Sequence, residues 1–159
     1  VADLTCGVLD VPSAVTKLRS SLKETRTQLD AACVELVDFV ARATLAKLPA
    51  PDAAPSPIVV PLLRASDDIG ALRTLAGKLT TDPRVVALAG GVDPSTGELI
   101  VIVQRGATAT AFDCGAFIQA QAKARSGRGG GRPERAEGRF PRGTSLEVIA
   151  TAAQSSLAS

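Results

Sequence analysis

The stretch from Ser126 to Arg139 reads SGRGGGRPERAEGR, and how it is placed decides how the second half of the chain is organised. Three consecutive glycines permit positive φ and let backbone N–H groups approach an anion without side-chain obstruction, while Arg128 and Arg132 bring planar donor forks to the same place. The composition predicts a phosphate-compatible loop. It is not a Walker A loop, because Gly-x-x-x-x-Gly-Lys followed by Ser or Thr is absent; nor is it a dinucleotide fingerprint, because no strand feeds Gly-x-Gly-x-x-Gly into a helix. A tract of this composition reads equally well as a solvated loop without a partner, so its surroundings decide.

Immediately upstream, Phe112 to Lys123 carries apolar or small residues at Phe112, Gly115, Ala116, Ile118, Gln119 and Ala122, a helical pattern that stops at the glycines. Between Lys123 and Arg142 stand seven basic residues (Lys123, Arg125, Arg128, Arg132, Arg135, Arg139, Arg142) against two acids, Glu134 and Glu137. The whole chain is only +2, so the remainder is net acidic and the asymmetry points to a polyanionic partner. Downstream, Thr144 or Ser145 with Glu147 opens a last helix in capping-box style, running through Leu146, Ile149 and Ala153.

Working back towards the N-terminus, Glu98 to Val103 (ELIVIV) and Arg84 to Ala89 (RVVALA) read as buried strands, joined by the turn Gly90 to Gly97 (GGVDPSTG). Asp93, Pro94 and Gly97 give that turn its chemistry. Ile58 to Leu63 reads as another buried strand, and Asp67 opens a helix through Leu72, Leu75 and Leu79 that Asp82 and Pro83 end. The adjacent carboxylates Asp67 and Asp68 do not face one another on a helix, so capping is their reading rather than acid/base chemistry. Strands alternating with helices predict an α/β globule with a central mixed sheet over residues 58–159.

The N-terminal part differs. Apolar or small residues at Val15, Leu18, Leu22, Thr25, Leu29, Ala32, Leu36 and Phe39 alternate in steps of three and four, the seam of a long helix of coiled-coil character. It begins near Asp10, Pro12 and Ser13 and ends before Pro49, giving a helical stalk over residues 1–48. Such a helix is roughly 50 Å long, so part of its stripe must meet another helix or another chain. Leu18, Leu22, Leu29 and Leu36 are the candidate oligomerisation residues. Four prolines between Leu48 and Pro57 make residues 49–57 a stiff connector.

Composition bounds the function. With 45% hydrophobic residues over 159 positions, the chain can bury a core, and with four Phe and no Tyr or Trp that core is built from Ala, Val, Leu and Ile. The three cysteines, Cys6, Cys33 and Cys114, have no zinc-ligand spacing, there is no histidine, and no metal or cofactor is expected. All three are expected as buried thiols of a reducing cytosol. Asp113 beside Cys114 lacks a histidine to act as base, so Cys114 reads as structural. The apolar runs fall short of the ~20 residues that span a bilayer, which fits a soluble, cytoplasmic protein. Phe140 alone among aromatics lies in the basic segment, which favours recognition of RNA shape and phosphates over base stacking.

Residues Phe112 to Gly138 (FDCGAFIQAQAKARSGRGGGRPERAEG) resemble the signature of the C-terminal C-Ala, DHH-associated domain of alanyl-tRNA synthetases and of free-standing alanyl-tRNA editing proteins. There a helix with a small residue near its start, here Gly115, leads into a Gly-Gly-Gly-Arg-Pro turn, here Gly129, Gly130, Gly131, Arg132 and Pro133, and then an Ala-x-Gly strand, here Ala136 to Gly138. The resemblance implies a non-catalytic domain of a larger synthetase or deacylase that grips the outer corner of tRNA, alanine tRNA above all, and helps couple aminoacylation with editing. It also implies that the preceding stalk can dimerise. Lys123, Arg125, Arg128, Gly129, Gly130, Gly131, Arg132, Pro133, Arg135 and Arg139 are the candidate RNA-binding residues. The family often has Asp-Met-Ala where Glu134, Arg135 and Ala136 stand, so Arg135 is an added charge. A related domain accompanies the DHH phosphoesterases, where Gly-Gly-Gly-His helps clamp a nucleotide; Arg132 in place of that histidine favours the synthetase branch. No catalytic residue is expected.

Overall fold

The computed structural model describes residues 11–50, 57–64 and 69–158. Its elements are α1 (Val11–Leu45), β1 (Ile58–Arg64), α2 (Ile69–Leu79), β2 (Val85–Val92), β3 (Leu99–Arg105), α3 (Cys114–Ala124), β4 (Arg128–Gly131), β5 (Arg135–Phe140) and α4 (Leu146–Ala158). A long N-terminal helix thus precedes an α/β region with a five-stranded mixed sheet, as the sequence patterns predict. Most of the connector, the capping residue Asp67 with Asp68, and Cys6 and Asp10 lie outside the described residues. Among the described residues no helix is long and apolar enough to cross a membrane.

The strand order is β1-β2-β3-β5-β4, with β1 and β2 parallel and the other pairs antiparallel. A parallel pair needs a crossover, and α2 supplies it. Strands β2 and β3 are central and almost wholly buried, which is why they read as continuous apolar runs. Strand β1 is an edge, where Pro61 forfeits no ladder bond that the sheet needs. The two-residue period sends Val86, Leu88, Val101 and Val103 to one face and Val85, Ala87, Ala89, Ile100 and Ile102 to the other.

On the first face lie α3 and α4, with Phe112, Ile118, Phe140 and Ile149 in the core. On the second lies α2, whose Leu72, Leu75, Ala76 and Leu79 fall at helical spacing and are completely buried. Each such leucine contributes about 1.5–3 kcal/mol by leaving water. Val37 and Ala41 of α1 join the same cluster, so the compact unit begins at Val37, within the helix. No described residue before Val37 is buried. Cys33 is accordingly exposed, correcting the expectation of a buried thiol there, whereas Cys114 is buried as expected.

Helix ends follow the sequence signals. Asp113 caps α3, its carboxylate accepting the Ala116 N–H at 2.8 Å, and the Ser145 hydroxyl accepts the Glu147 N–H at 3.1 Å before α4. The turn between β2 and β3 is closed by Asp93, whose Oδ1 accepts the N–H groups of Ser95 and Thr96.

The glycine tract departs from the expected loop. Arg128–Gly131 is an edge strand paired with β5, with Arg128 opposite Arg139 and Gly131 opposite Ala136. Its glycines are not needed for positive φ: the nearest described residues in that region are Ser126, at φ 53°, and Gly143. They are needed for space. A Cβ on Gly129 would stand 2.4 Å from the Glu137 carbonyl oxygen, and one on Gly131 would stand 2.4 Å from both the Ala136 Cα and the Arg135 oxygen. Gly115 of α3 meets the Gly131 oxygen in the same way, at 2.8 Å. Gly130 meets only the Gln119 side chain, at an ordinary 3.6 Å. Gly129→Ala and Gly131→Ala are therefore expected to destabilise the chain by ~1–3 kcal/mol through overpacking, while Gly130→Ala stays within about 0.5 kcal/mol. Urea unfolding of the three variants checks this, and equal losses in all three would contradict it.

Candidate nucleic-acid interface

Helix α2 covers β2 and β3 and stops there, while α3 packs on the opposite face of β4 and β5. The α2-side face of the β5–β4 ribbon is therefore left without a helix over it. The register determines what it displays: Arg135 lies beside Gln104, Glu137 beside Ile102 and Gly130, and Arg139 beside Ile100 and Arg128. Ile100 and Ile102 belong to the α2-side core, so these partners project to the same side.

The sequence-predicted basic residues divide accordingly. Arg128, Arg135 and Arg139 share this face, and Arg132 and Pro133 form the turn at its end. Gly129, Gly130 and Gly131 supply the edge strand rather than a loop. Lys123 and Arg125 are not on this face: they belong to the last turn and cap of α3, where Arg125 donates to the Gln121 side chain. Arg142 stands beyond β5, its stem beside Gly97.

Glu137 sits midway along the ribbon and accepts two hydrogen bonds from Arg73 of α2, at 2.6 and 2.7 Å. This bidentate contact, with the nearby charges of Arg73 and Arg135, holds its carboxyl below the usual carboxylate range against the opposing effect of burial. Two hollows flank the bridge. The first, of about 790 Å³, is lined by Gln104, Arg105, Gly130, Gly131, Arg132, Glu134, Arg135, Ala136 and Glu137. The second, of about 280 Å³, has Ile69, Ile100 and the backbone of Gly129 and Gly138 as its floor, with Arg128 and Arg139 at the rim.

The arginines at the two ends are in different states. Arg128 is 3.0 Å from Glu98, and Arg139 is 3.5 Å from both Glu98 and Asp93, so that end is partly neutralised. At the other end Arg132 and Arg135 line the larger hollow together with Arg105, Glu134 and the already bonded Glu137, and Arg105 stands 3.6 Å from Glu134. Arg105 and Arg73 escape the sequence reading, because only the β3–β5 pairing brings the end of β3 against Glu134 and Arg135, and only the packing of α2 brings Arg73 to Glu137. Neither stands in a basic run that would have marked it.

The glycines also leave backbone donors free of steric cover. The Arg132 and Arg135 amides exchange hydrogen bonds across the turn. By the alternation of an antiparallel ladder, the amides of Gly131 and Gly129 then face away from β5, along the sheet edge. The Cys114 thiol is pushed up to about 12, chiefly by burial, so it stays protonated and packs as a small apolar group. Among the described residues no three His, Cys, Asp or Glu side chains are grouped to hold a metal ion.

No family model matches the chain, and no curated protein matches it significantly. Among solved structures it is similar to the C-Ala domain from Aquifex aeolicus alanyl-tRNA synthetase, with a TM-score of 0.54 and 15% identity over 64% of this chain and 91% of that one. At that identity the likeness is one of fold, and it falls on the family whose signature the Phe112 to Gly138 stretch resembles. The chain therefore carries a C-Ala-like fold.

Proposed function

We propose that this chain is a non-catalytic RNA-binding accessory domain that uses the uncovered face of the β5–β4 ribbon to hold the sugar-phosphate backbone of folded tRNA, alanine tRNA in particular. In this reading it is part of an alanyl-tRNA synthetase or a related editing protein and helps couple aminoacylation with editing in the cytoplasm. The observation that carries the proposal is the placement of Arg128, Arg135 and Arg139 on one sheet face, with Arg132 in the turn at its end, the Arg73–Glu137 bridge between the two ends and an edge strand of glycine backbone at Gly129 to Gly131. Guanidinium forks match phosphate oxygens in pairs, and an edge free of side chains lets a backbone approach closely. Folded RNA is bound largely by its shape, phosphates and 2′-hydroxyls, which needs no aromatic platform. The C-Ala likeness supports the same partner.

Arg132→Gln with Arg135→Gln is expected to weaken binding to folded alanine tRNA and to flatten the dependence of log affinity on log salt by ~0.7–0.9 for each phosphate no longer neutralised. Lys123→Gln with Arg125→Gln, on the α3 side, is expected to change the slope less. Titrations at several salt concentrations check both, and an unchanged slope in the first pair would remove this face from the interface.

A second reading, compatible with the first, is oligomerisation through α1. Leu18, Leu22, Leu29 and Leu36 are 47–62% exposed, an apolar stripe that a surface helix does not ordinarily leave in water. Leu22→Asp with Leu29→Asp is expected to convert a dimer into a monomer in sedimentation equilibrium, and a wild-type chain monomeric at high concentration would contradict the reading.

A further inference from the structure

Arg73 belongs to α2, outside the basic segment, and reaches from the helix to Glu137 of β5, midway along the ribbon face. The contact fixes which side of its guanidinium is used. Nε donates to Oε1 at 2.6 Å and Nη2 to Oε2 at 2.7 Å, so the carboxylate fills the side edge of the fork. A guanidinium carries more N–H donors than this contact takes. Its end edge, where one N–H of Nη1 and the outer N–H of Nη2 lie parallel, is left over, and among the described residues no acceptor meets Nη1.

That edge is reachable. The Arg73 side chain is 47% exposed and that of Glu137 34%. Both hollows of the face are lined by Glu137, so the bridge stands between two depressions. One helical turn beyond Arg73, Gly77 leaves the flank of α2 bare: a Cβ there would meet nothing within 4 Å.

An unrestrained arginine gives up rotamer freedom when it binds, whereas one clamped through its side edge has lost that freedom beforehand. The bridge carries no net charge, so what it offers a ligand is direction. Long-range attraction comes from the other arginines of the ribbon and its turn.

We infer that Arg73 is the oriented contact at the centre of the RNA-binding face, clamped by Glu137 so that its end edge takes two neighbouring acceptor atoms of the bound RNA. Glu137 is then a positioning residue. The inference rests on the RNA-binding reading and deepens it. Two sources supply such paired acceptors: two oxygens of one phosphodiester, or O6 and N7 of a guanine outside a regular helix.

The decisive variant is Arg73→Gln with Glu137→Gln, which leaves the net charge of the face as it is and replaces the ion pair by two amides. Its affinity for folded alanine tRNA is measured beside that of Arg73→Lys, which keeps the charge but loses the fork. The double variant is expected to bind about tenfold more weakly than the wild type, and Arg73→Lys to fall most of the way to it. Melting temperatures separate binding from folding. A second readout needs no variant: in the wild-type chain the Nη protons of Arg73 are expected to gain protection from solvent exchange when tRNA binds. Wild-type affinity for tRNA made with deazaguanine, which lacks N7, assigns the edge to a phosphodiester, and a loss matching the double variant assigns it to guanine. Wild-type affinity in the double variant or in Arg73→Lys, or unprotected Nη protons in the complex, would overturn the inference and leave the face standing. A wild-type chain that binds no tRNA would overturn the RNA-binding reading, and the inference with it.

Discussion

The backbones of β4, β5 and the start of α3 lie so close together that side chains are excluded between them. A Cβ at Gly129 or Gly131 would meet backbone atoms of β5 at 2.4 Å, and one at Gly115 would meet the oxygen of Gly131 at 2.8 Å. This contact joins the edge strand to the sheet on one side and to its helix on the other. With α3 pressed onto that face, the pleat of β5 has one orientation open to it: Ala136, Gly138 and Phe140 inward, Arg135, Glu137 and Arg139 outward. A one-residue slip would bury three charges, so the register is held by both packing and electrostatics.

What the outward face becomes depends on how far α2 reaches. It covers the two central strands, and its Arg73 extends over the edge to grip Glu137. The bridge removes the one carboxylate at the centre of the ribbon from competition with a ligand and separates two basic hollows. One is tempered by Glu98 and Asp93, and the other by Glu134, which pairs with Arg105. The asymmetry of charge along the sequence thus becomes an asymmetry along a single sheet face.

Much of this was legible in the residues. The continuous apolar runs of β2 and β3, the Asp93 turn, the Ser145 cap and the leucine spacing of α2 each answer to a local rule, and each stands where that rule puts it. The glycine tract did not, because three glycines in a row allow both a mobile loop and a close-packed edge strand, and only the opposing backbone of β5 and α3 distinguishes them. The insertion of β5 between β3 and β4 is likewise a non-local choice, and Arg105 acquires its surroundings only from it. Cys33 was misplaced for a related reason: residue type favours burial of a thiol, but no described residue before Val37 is buried.

RNA binding by this fold depends first on which face meets the ligand. Amide hydrogen exchange of the chain, free and saturated with folded alanine tRNA at low salt, reads that face directly. Binding through the β5–β4 ribbon predicts added protection in β4, in the Arg132 to Glu134 turn and at the end of β3 around Arg105, with the exposed side of α3 and the length of α4 unchanged. Protection confined to α3 and α4, with the β5–β4 ribbon exchanging as in the free chain, would contradict it.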